Sequence, residues 1–293
     1  MRPPAVVLVH YGRPEVTRAC LTSLARYEST PHRAVVVDHG PDPGLPAALE
    51  GCHPDLQVLT DHRNPGFAAG CNRGAAEAFS QGAEAVWFLN NDARLAEPLL
   101  GLFQVQAQRH PEVALWGTHQ VHGTRRLGCD RQPEWFARGG QAVLAGLEGG
   151  HLLAPRESLS GASVYITRAA WERLGPWPES YFLYYEDAAW CQRAHAEGLP
   201  MVLLDAAVLH DPGTTTGRRS PLTLFYGTRN QLRLRAERPG GSRADLLLGA
   251  LYLLQRRLFR GQFGALRPVL DGCRASWRGE TGRFRGGAKK KKK

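Results

Sequence analysis

At 293 residues and 43% hydrophobic side chains, the chain is long enough for one large α/β domain or two small ones and rich enough for a real core. Its longest apolar run, residues 246–254, is nine residues where a membrane-spanning helix needs roughly 20, and its six cysteines form no C-x-x-C pair, which disfavours a structural zinc site. The formal charge of +10 is uneven: residues 218–293 hold 15 Arg and 5 Lys against 4 acids, whereas the remainder holds 17 Arg against 23 acids. A mildly acidic body suits a metal-dependent enzyme, and a basic tail suits an anionic surface. All the lysines lie in residues 289–293, which read equally as a native tail or as a tag. The apolar stretch at residues 5–9 is too short for a signal peptide, so the chain is expected to be cytoplasmic or peripheral at the inner face of the cytoplasmic membrane. The cysteines then read as small buried hydrophobes in a reducing compartment.

The first half alternates strand-like and helix-like segments. Residues 5–10 form a β-rich run; residues 14–26 space Val16, Cys20, Leu21 and Leu24 as a helix does, with Pro14 at the start. Ala34-Val35-Val36-Val37-Asp38 is a buried strand ending in an acid, followed by a loop at 41–46 and a strand at 56–60. A helix rich in small residues is predicted at 67–79, a strand at 85–89, a helix at 98–108 and a further strand at 113–116. Continuous apolar strands in a β-α-β-α rhythm predict a mostly parallel sheet covered on both faces. Ligands bind such sheets beyond the carboxyl ends of the strands. Three polar ends, His10-Tyr11-Gly12, Asp38-His39-Gly40 and Asn90-Asn91-Asp92, converge there.

Residues 119–159 are Gly-rich and irregular, a loop or small antiparallel excursion. A strand at 163–167 and a helix at 168–174 precede an aromatic loop at 176–185. A helix at 186–197 carries Glu186 and Asp187 in its first turn, as the helix dipole favours, and a strand follows at 201–204. Beyond Pro221 the pattern is helical and basic, at 222–235, 244–259 and 263–277.

Several of these residues carry chemistry. Asp38 can accept the imide N–H of a uracil or thymine base or a ribose hydroxyl, or it simply ends a strand. A dinucleotide fold would want G-x-G-x-x-G after the first strand, where this chain has His10-Tyr11-Gly12-Arg13-Pro14. The stretch from Asn64 through Gly66, Phe67, Asn72 and Arg73 to Gly74 lets backbone or ligand approach a helix N-terminus closely, or packs as a small-residue helix. Asp92 suffices for magnesium or manganese if a diphosphate supplies further oxygens; alone, Asn90-Asn91-Asp92 is also an ordinary strand end. Glu186-Asp187, beyond Tyr181-Phe182-Leu183-Tyr184-Tyr185, places a carboxylate at an aromatic pocket where it can deprotonate a sugar hydroxyl, or only complements a helix dipole. His210 can complete a metal shell beside an aspartate, and the Thr/Gly loop after it, with Arg218 and Arg219, can close over phosphate. Arg229 and Asn230 offer a cation and an amide, or lie on an ordinary surface helix.

In order, these pieces resemble the family 2 glycosyltransferases with the GT-A fold, especially their rhamnosyltransferase-like branch. The resemblance runs from Val6 to Asn230 through Val35-Val36-Val37-Asp38, Asn64-Pro65-Gly66-Phe67, Asn72-Arg73-Gly74, Leu89-Asn90-Asn91-Asp92, Ser160-Gly161-Ala162, Tyr184-Tyr185-Glu186-Asp187, His210 and Arg229-Asn230. It implies a Rossmann-like, mostly parallel sheet flanked by helices, with a basic helical C-terminal extension. It also implies an inverting transfer from a UDP- or dTDP-sugar to a saccharide, lipid-linked or other hydroxyl acceptor in cell-surface polysaccharide or glycoconjugate synthesis. Asp187 would be the base, and Asp92, with His210, would hold Mn2+ or Mg2+. His10, Tyr11, Arg13, Asp38, Asn64, Gly66, Phe67, Asn72, Arg73, Asn90 and Asn91 would contact the nucleotide-sugar. Gly161, Tyr184, Tyr185, Glu186, Trp190 and Arg229 would line the acceptor and sugar pocket.

The chain departs from the family pattern at Asn90, where the first acid of DxD is an amide, at His39-Gly40-Pro41, and at Ala188-Ala189, where a further acid is common. The expected division is a catalytic domain at 1–220, a basic helical region at 221–288 packing on it or on a membrane, and the tail at 289–293. The rival readings are a sugar nucleotidyltransferase using the same pocket, and a degenerate binder of nucleotide-sugar or anionic surfaces. The tail lacks the interleaved aromatics of a single-strand stacking surface, so no nucleic acid is expected. Tyr252, Leu253, Leu254, Leu258 and Phe259 among Arg256, Arg257 and Arg260 resemble an interfacial basic helix, or a core helix with a solvated basic face.

Overall fold

The computed structural model describes residues 3–131, 144, 146–210 and 220–284. Its first part runs β1 (Ala5–His10), α1 (Pro14–Tyr27), β2 (Arg33–Asp38), α2 (Leu45–Ala48), β3 (Leu56–Thr60), α3 (Phe67–Ser80), β4 (Ala85–Leu89), β5 (Ala93–Arg94) and α4 (Leu100–Arg109). The middle holds β6 (Leu115–His122), β7 (Arg125–Leu127), β8 (Asp130–Arg131), β9 (Gly150–Leu152), β10 (Glu157–Ser158), β11 (Ser163–Thr167), α5 (Arg168–Leu174), α6 (Glu186–Ala196) and β12 (Met201–His210). Three helices close the chain: α7 (Pro221–Glu237), α8 (Arg243–Phe259) and α9 (Leu266–Trp277).

The main sheet has the order β3-β2-β1-β4-β11-β6-β12-β5, with β7 on β6 and β9 on β12. Strands β3, β2, β1 and β4 are parallel, as the β-α-β-α rhythm predicts; β1 and β4 are buried at every residue and β3, at the sheet edge, is half-buried. From β11 onward the sheet is mixed, because β11 runs antiparallel to both β4 and β6. Two apolar clusters cover its faces, one around Val7, Phe88 and Trp190, the other around Leu8, Trp87 and Trp116.

The small residues of α3 serve this packing. A Cβ on Gly74 would lie 2.4 Å from Val7 Cγ1, so the helix backbone rests directly on β1. Close approach here is to the sheet rather than to a ligand.

Two strands outrun their sequence signals. β6 continues to His122, and β12 runs unbroken through a bulge between Leu204 and Ala207 to His210. The irregular stretch between β6 and β11 does hold short antiparallel strands, with β10 pairing β8. The helices α7, α8 and α9 pack on one another around Leu232, Leu253 and Val269. Among the described residues no helix is long and apolar enough to cross a membrane.

Candidate active site

Parallel register brings the carboxyl ends of β1, β2 and β3 level, with His10 beside Asp38 and Asp38 beside Thr60. Asp38 is fully buried. Its Oδ1 accepts the Gly40 amide at 2.8 Å, and its Oδ2 finds no partner among the described residues. A buried carboxylate oxygen without a donor is costly unless a ligand supplies one. His10 Nδ1 lies 2.7 Å from the Thr17 hydroxyl, which accepts the Asn91 amide at 2.9 Å. Burial holds the His10 imidazole below its ordinary range, against the pull of Asp38. Burial likewise lowers His39 to about 4, so its ring stays neutral at pH 7. Tyr11 and Arg13 are exposed beside this edge.

Next to them Arg63 grips Asp61 through two hydrogen bonds, at 2.9 and 3.0 Å, and lowers its carboxyl to about 2. Arg73 donates to the Thr60 carbonyl at 2.9 Å and lies 3.6 Å from Asp61, which ties α3 to the end of β3.

The Asn90–Asp92 turn follows β4, and β5 then pairs with β12 so that Ala93 faces His210. That pairing sets His210 Nε2 3.0 Å from Asp92 Oδ1, with Asn90 Nδ2 3.4 Å away. His210 Nδ1 lies 3.1 Å from Nε2 of His122, which ends the adjoining strand β6. One imidazole thus has a carboxylate at one nitrogen and a second imidazole at the other. A carboxylate oxygen and an imidazole nitrogen converging beside a strand end form a donor set that suits a divalent metal with further oxygens from a diphosphate. The segment 211–219, with the expected phosphate loop, lies outside the described residues.

Asp187 lies at the same edge, in the first turn of α6. Its Oδ2 accepts the Gly161 amide at 2.9 Å and its Oδ1 accepts the Ala188 amide at 2.7 Å. A Cβ on Gly161 would sit 3.3 Å from the Asp187 Cβ, so the two backbones are in close contact. Burial raises the Asp187 carboxyl, and these backbone hydrogen bonds oppose the rise. Asp130 is exposed to solvent, yet the atoms crowded around it and the charge of Asp187 push its carboxyl up to about 6. Tyr185 is raised to about 12 by burial and then by Asp187.

The loop before Asp187 is bent. Phe182, Tyr184 and Tyr185 have φ of 64°, 69° and 71°, a region costly for residues with a Cβ. Buried polar groups hold it. Asn230 Nδ2 reaches the carbonyls of Tyr181, Leu183 and Tyr184, each at 2.8 Å, and Arg229 donates to the Tyr181 carbonyl at 2.8 Å. The Phe67 amide donates to the Phe182 carbonyl at 2.8 Å, and a Cβ on Gly66 would meet that carbonyl at 2.6 Å.

Four expected contacts are therefore engaged elsewhere, and a fifth, Glu186, is buried with its Oε2 unpartnered among the described residues. Arg229 is only 1% exposed, and its guanidinium is spent on Tyr181, Asn230 and the Gly282 carbonyl, so it supports the loop instead of lining the pocket. Trp190, also 1% exposed, bonds the Gly175 carbonyl and packs on Trp177 in the core, because its place on α6 faces the sheet. Glu186 turns inward as well: burial and then the charge of Asp187 push its carboxyl up to about 8. Asn72 brackets Trp177, accepting its amide and donating to its carbonyl, and the Phe67 amide is taken by Phe182, so the start of α3 is closed by the aromatic loop. Cys129 and Cys273, both half-buried, depart from the expectation of buried cysteines. Cys129 has polar neighbours, His151 and Glu157, which already bond each other at 2.7 Å.

Three residues at the edge escaped the sequence reading. Thr17 faces inward from α1, His122 is the last residue of β6, and Asp130 lies in the irregular stretch after it. The one usable signal was a pair of histidines, His119 and His122, in a run compatible with a strand.

Residues 5–156 match the family model described as Glycosyl transferase family 2. The chain is 25% identical over 239 residues to the N-acetylglucosaminyl-diphospho-decaprenol L-rhamnosyltransferase of Mycobacterium tuberculosis, covering 73% of this chain and 78% of that protein. It is 22% identical over 188 residues to the low-salt glycan biosynthesis hexosyltransferase Agl10 of Haloferax volcanii, covering 61% and 60%. The mannosyltransferase PcManGT from Pyrobaculum calidifontis, solved with GDP-Man and Mn2+, aligns with a TM-score of 0.57 at 18% identity, over 94% of this chain and 75% of that one. S. aureus TarS 1–349 with UDP-GlcNAc aligns at 0.54 and 17% identity, over 88% and 73%. These structures share the GT-A fold with this chain.

Proposed function

Since the chain belongs to glycosyl transferase family 2, in its rhamnosyltransferase-like branch, and is a glycosyltransferase, we propose that it moves a sugar from a UDP- or dTDP-sugar to a hydroxyl acceptor with inversion at the anomeric carbon. The observation that carries this reading is the gathering of Asp38, the Asp92–His210 pair and Asp187 on one sheet edge, each at the end of a different element.

In this reading the unpartnered Oδ2 of Asp38 takes the imide N–H of a pyrimidine base. Asp92 and His210 would hold a divalent metal, and His122 Nε2 would accept a hydrogen bond from His210 Nδ1–H, which leaves Nε2 of His210 free to ligate. The imidazole favours Mn2+ over Mg2+, whose shell is built from oxygens. When bound, the metal stabilises the negative charge of the departing nucleoside diphosphate.

Asp187 removes the proton of the acceptor hydroxyl as that oxygen attacks the anomeric carbon. The bond from that carbon to the diphosphate oxygen breaks, and its electron pair leaves with the diphosphate. A single displacement from the far side inverts the centre. Burial makes the Asp187 carboxylate a stronger base than one in water, and general-base help is worth roughly 10²–10⁴-fold in rate.

The likeness to an N-acetylglucosaminyl-diphospho-decaprenol L-rhamnosyltransferase supports a saccharide on a lipid diphosphate as acceptor, within cell-surface polysaccharide or glycoconjugate synthesis. A thermal-shift panel of UDP-, dTDP- and GDP-sugars with Mn2+ tests the donor, followed by turnover with the stabilising one. Release of nucleoside diphosphate is expected. Release of pyrophosphate instead would make the chain a nucleotidyltransferase, and no stabilisation by any sugar nucleotide would remove the reading.

A further inference from the structure

Helix α8 is apolar on both sides. Its inner side packs Leu246, Ala250, Leu253 and Leu254 against α7 and α9. Its outer side presents Leu247, Leu248, Leu251, Tyr252, Leu258 and Phe259, each between 50% and 83% exposed. At helical spacing these six fall on one stripe, interrupted by Gln255, and Phe263 extends it at 69% exposure. A helix apolar all round is normally covered, and a contiguous exposed patch of this kind marks an interaction surface.

The charge beside the stripe says what covers it. Arg256 lies on α8 and Arg260 caps its end beside the stripe, Arg267 opens α9 just after it in the chain, and all three are exposed. The acids nearby are held by cations: Asp245 by Arg238 at 2.8 Å and Asp271 by Arg274 at 3.4 Å. A second copy of the chain would bring these arginines against each other. An apolar stripe bordered by arginines is the pattern of a helix lying in the plane of an anionic membrane, apolar side among the acyl chains and cations at the headgroups.

We propose that α8 and the turn after it seat the protein on an anionic lipid bilayer, next to the acceptor side of the site. Helix α7 links the two places, since its Leu232 packs on Leu253 of α8 and its Asn230 holds the Tyr184 carbonyl at 2.8 Å, three residues before Asp187. A lipid-linked acceptor held in that bilayer would then present its hydroxyl to Asp187 from the α8 side. This last clause rests on the transfer proposed above; the docking itself needs neither donor nor metal.

The test is co-sedimentation of the full chain with vesicles of phosphatidylcholine alone, or with roughly a third phosphatidylglycerol, without donor or metal. Wild type is expected to sediment with the anionic vesicles and far less with the neutral ones. The exposed-site variant Leu248→Ser/Phe259→Ser is expected to lose roughly tenfold or more in partition, because two large apolar side chains no longer insert. Arg260→Glu/Arg267→Glu is expected to lose the preference for phosphatidylglycerol, each arginine being worth about fivefold at an anionic surface. Both variants should keep the wild-type melting temperature and the wild-type rate on a water-soluble saccharide acceptor. Equal sedimentation of wild type and both variants, or no binding to either vesicle, overturns the proposal. So does a dimer, seen by light scattering, that the serine variant dissolves while vesicle binding is absent, since it assigns the stripe to a protein partner. Failure of glycosyl transfer with vesicle binding intact would count against the transferase reading alone.

Discussion

Asp38 and Asp92 are placed by strand register, whereas Asp187 is placed by a loop that three left-handed residues bend and two buried polar side chains hold. On the nucleotide side, ladders of backbone hydrogen bonds fix each strand end, and no single side chain carries the geometry. On the acceptor side the strain amounts to about 1–3 kcal/mol for each residue at positive φ. The hydrogen bonds from Arg229 and Asn230 contribute about 1–3 kcal/mol each, a sum of the same order. The loop before Asp187 is therefore held in this shape by α7. The matched family segment, residues 5–156, ends before Gly161, Asp187 and His210, so it falls mainly on the register-built side.

The most severe break is expected at the proposed proton acceptor. Asp187→Asn should lower turnover by roughly 10³-fold or more and leave donor binding within a few-fold, checked by steady-state kinetics and titration calorimetry. Near wild-type turnover would remove Asp187 as the base.

Glu186 tests the buried charge beside it. Its carboxyl keeps a proton in the fold up to about 8 but loses it near 4.5 when unfolded. The folded state thus binds the extra proton, and stability falls as pH rises through that window, by at most about 5 kcal/mol. Glu186→Gln should melt with wild type at the acid end and above it at the alkaline end. Parallel melting curves at both ends would show that the charge is compensated.

Asn230→Ala removes three contacts to the loop. It should lower stability by about 3 kcal/mol and turnover by roughly 100-fold while donor affinity stays near wild type. Donor affinity falling together with turnover would show that the two sides of the site are not independent.

The smallest expected effect lies on the register side. His122→Phe should weaken Mn2+ binding about 10–100-fold, read by the electron paramagnetic resonance of free Mn2+ in the presence of nucleoside diphosphate. Unchanged affinity would leave His122 as a packing partner only.

Legibility follows the same division. The limits of β1, β3, β4 and β11 match the expected strands residue for residue; β1 and β4, buried at every residue, leave the strongest signal. Asp38, Asp92 and Asp187 were read from their places at element ends. Arg229, Trp190 and Glu186 were read as pocket residues because a polar or aromatic side chain beside a motif has the same sequence appearance whether it turns outward or inward. His122 was missed because β6 pairs in parallel with β12, a contact between segments some 80 residues apart that no local period reports.

Local chemistry alone determined the alternation of elements, the polar ends of the strands, the carboxylates available for metal and base, and the basic, apolar C-terminal helices. Tertiary structure decided which of those side chains meet. It joined His210 to Asp92 and His122 through strand pairing, turned Trp190 and Glu186 into the core, and used Arg229 and Asn230 to hold a strained loop. The physical reason is that burial and hydrogen-bond partners belong to pairs of distant segments, whereas periodicity and propensity belong to one segment at a time.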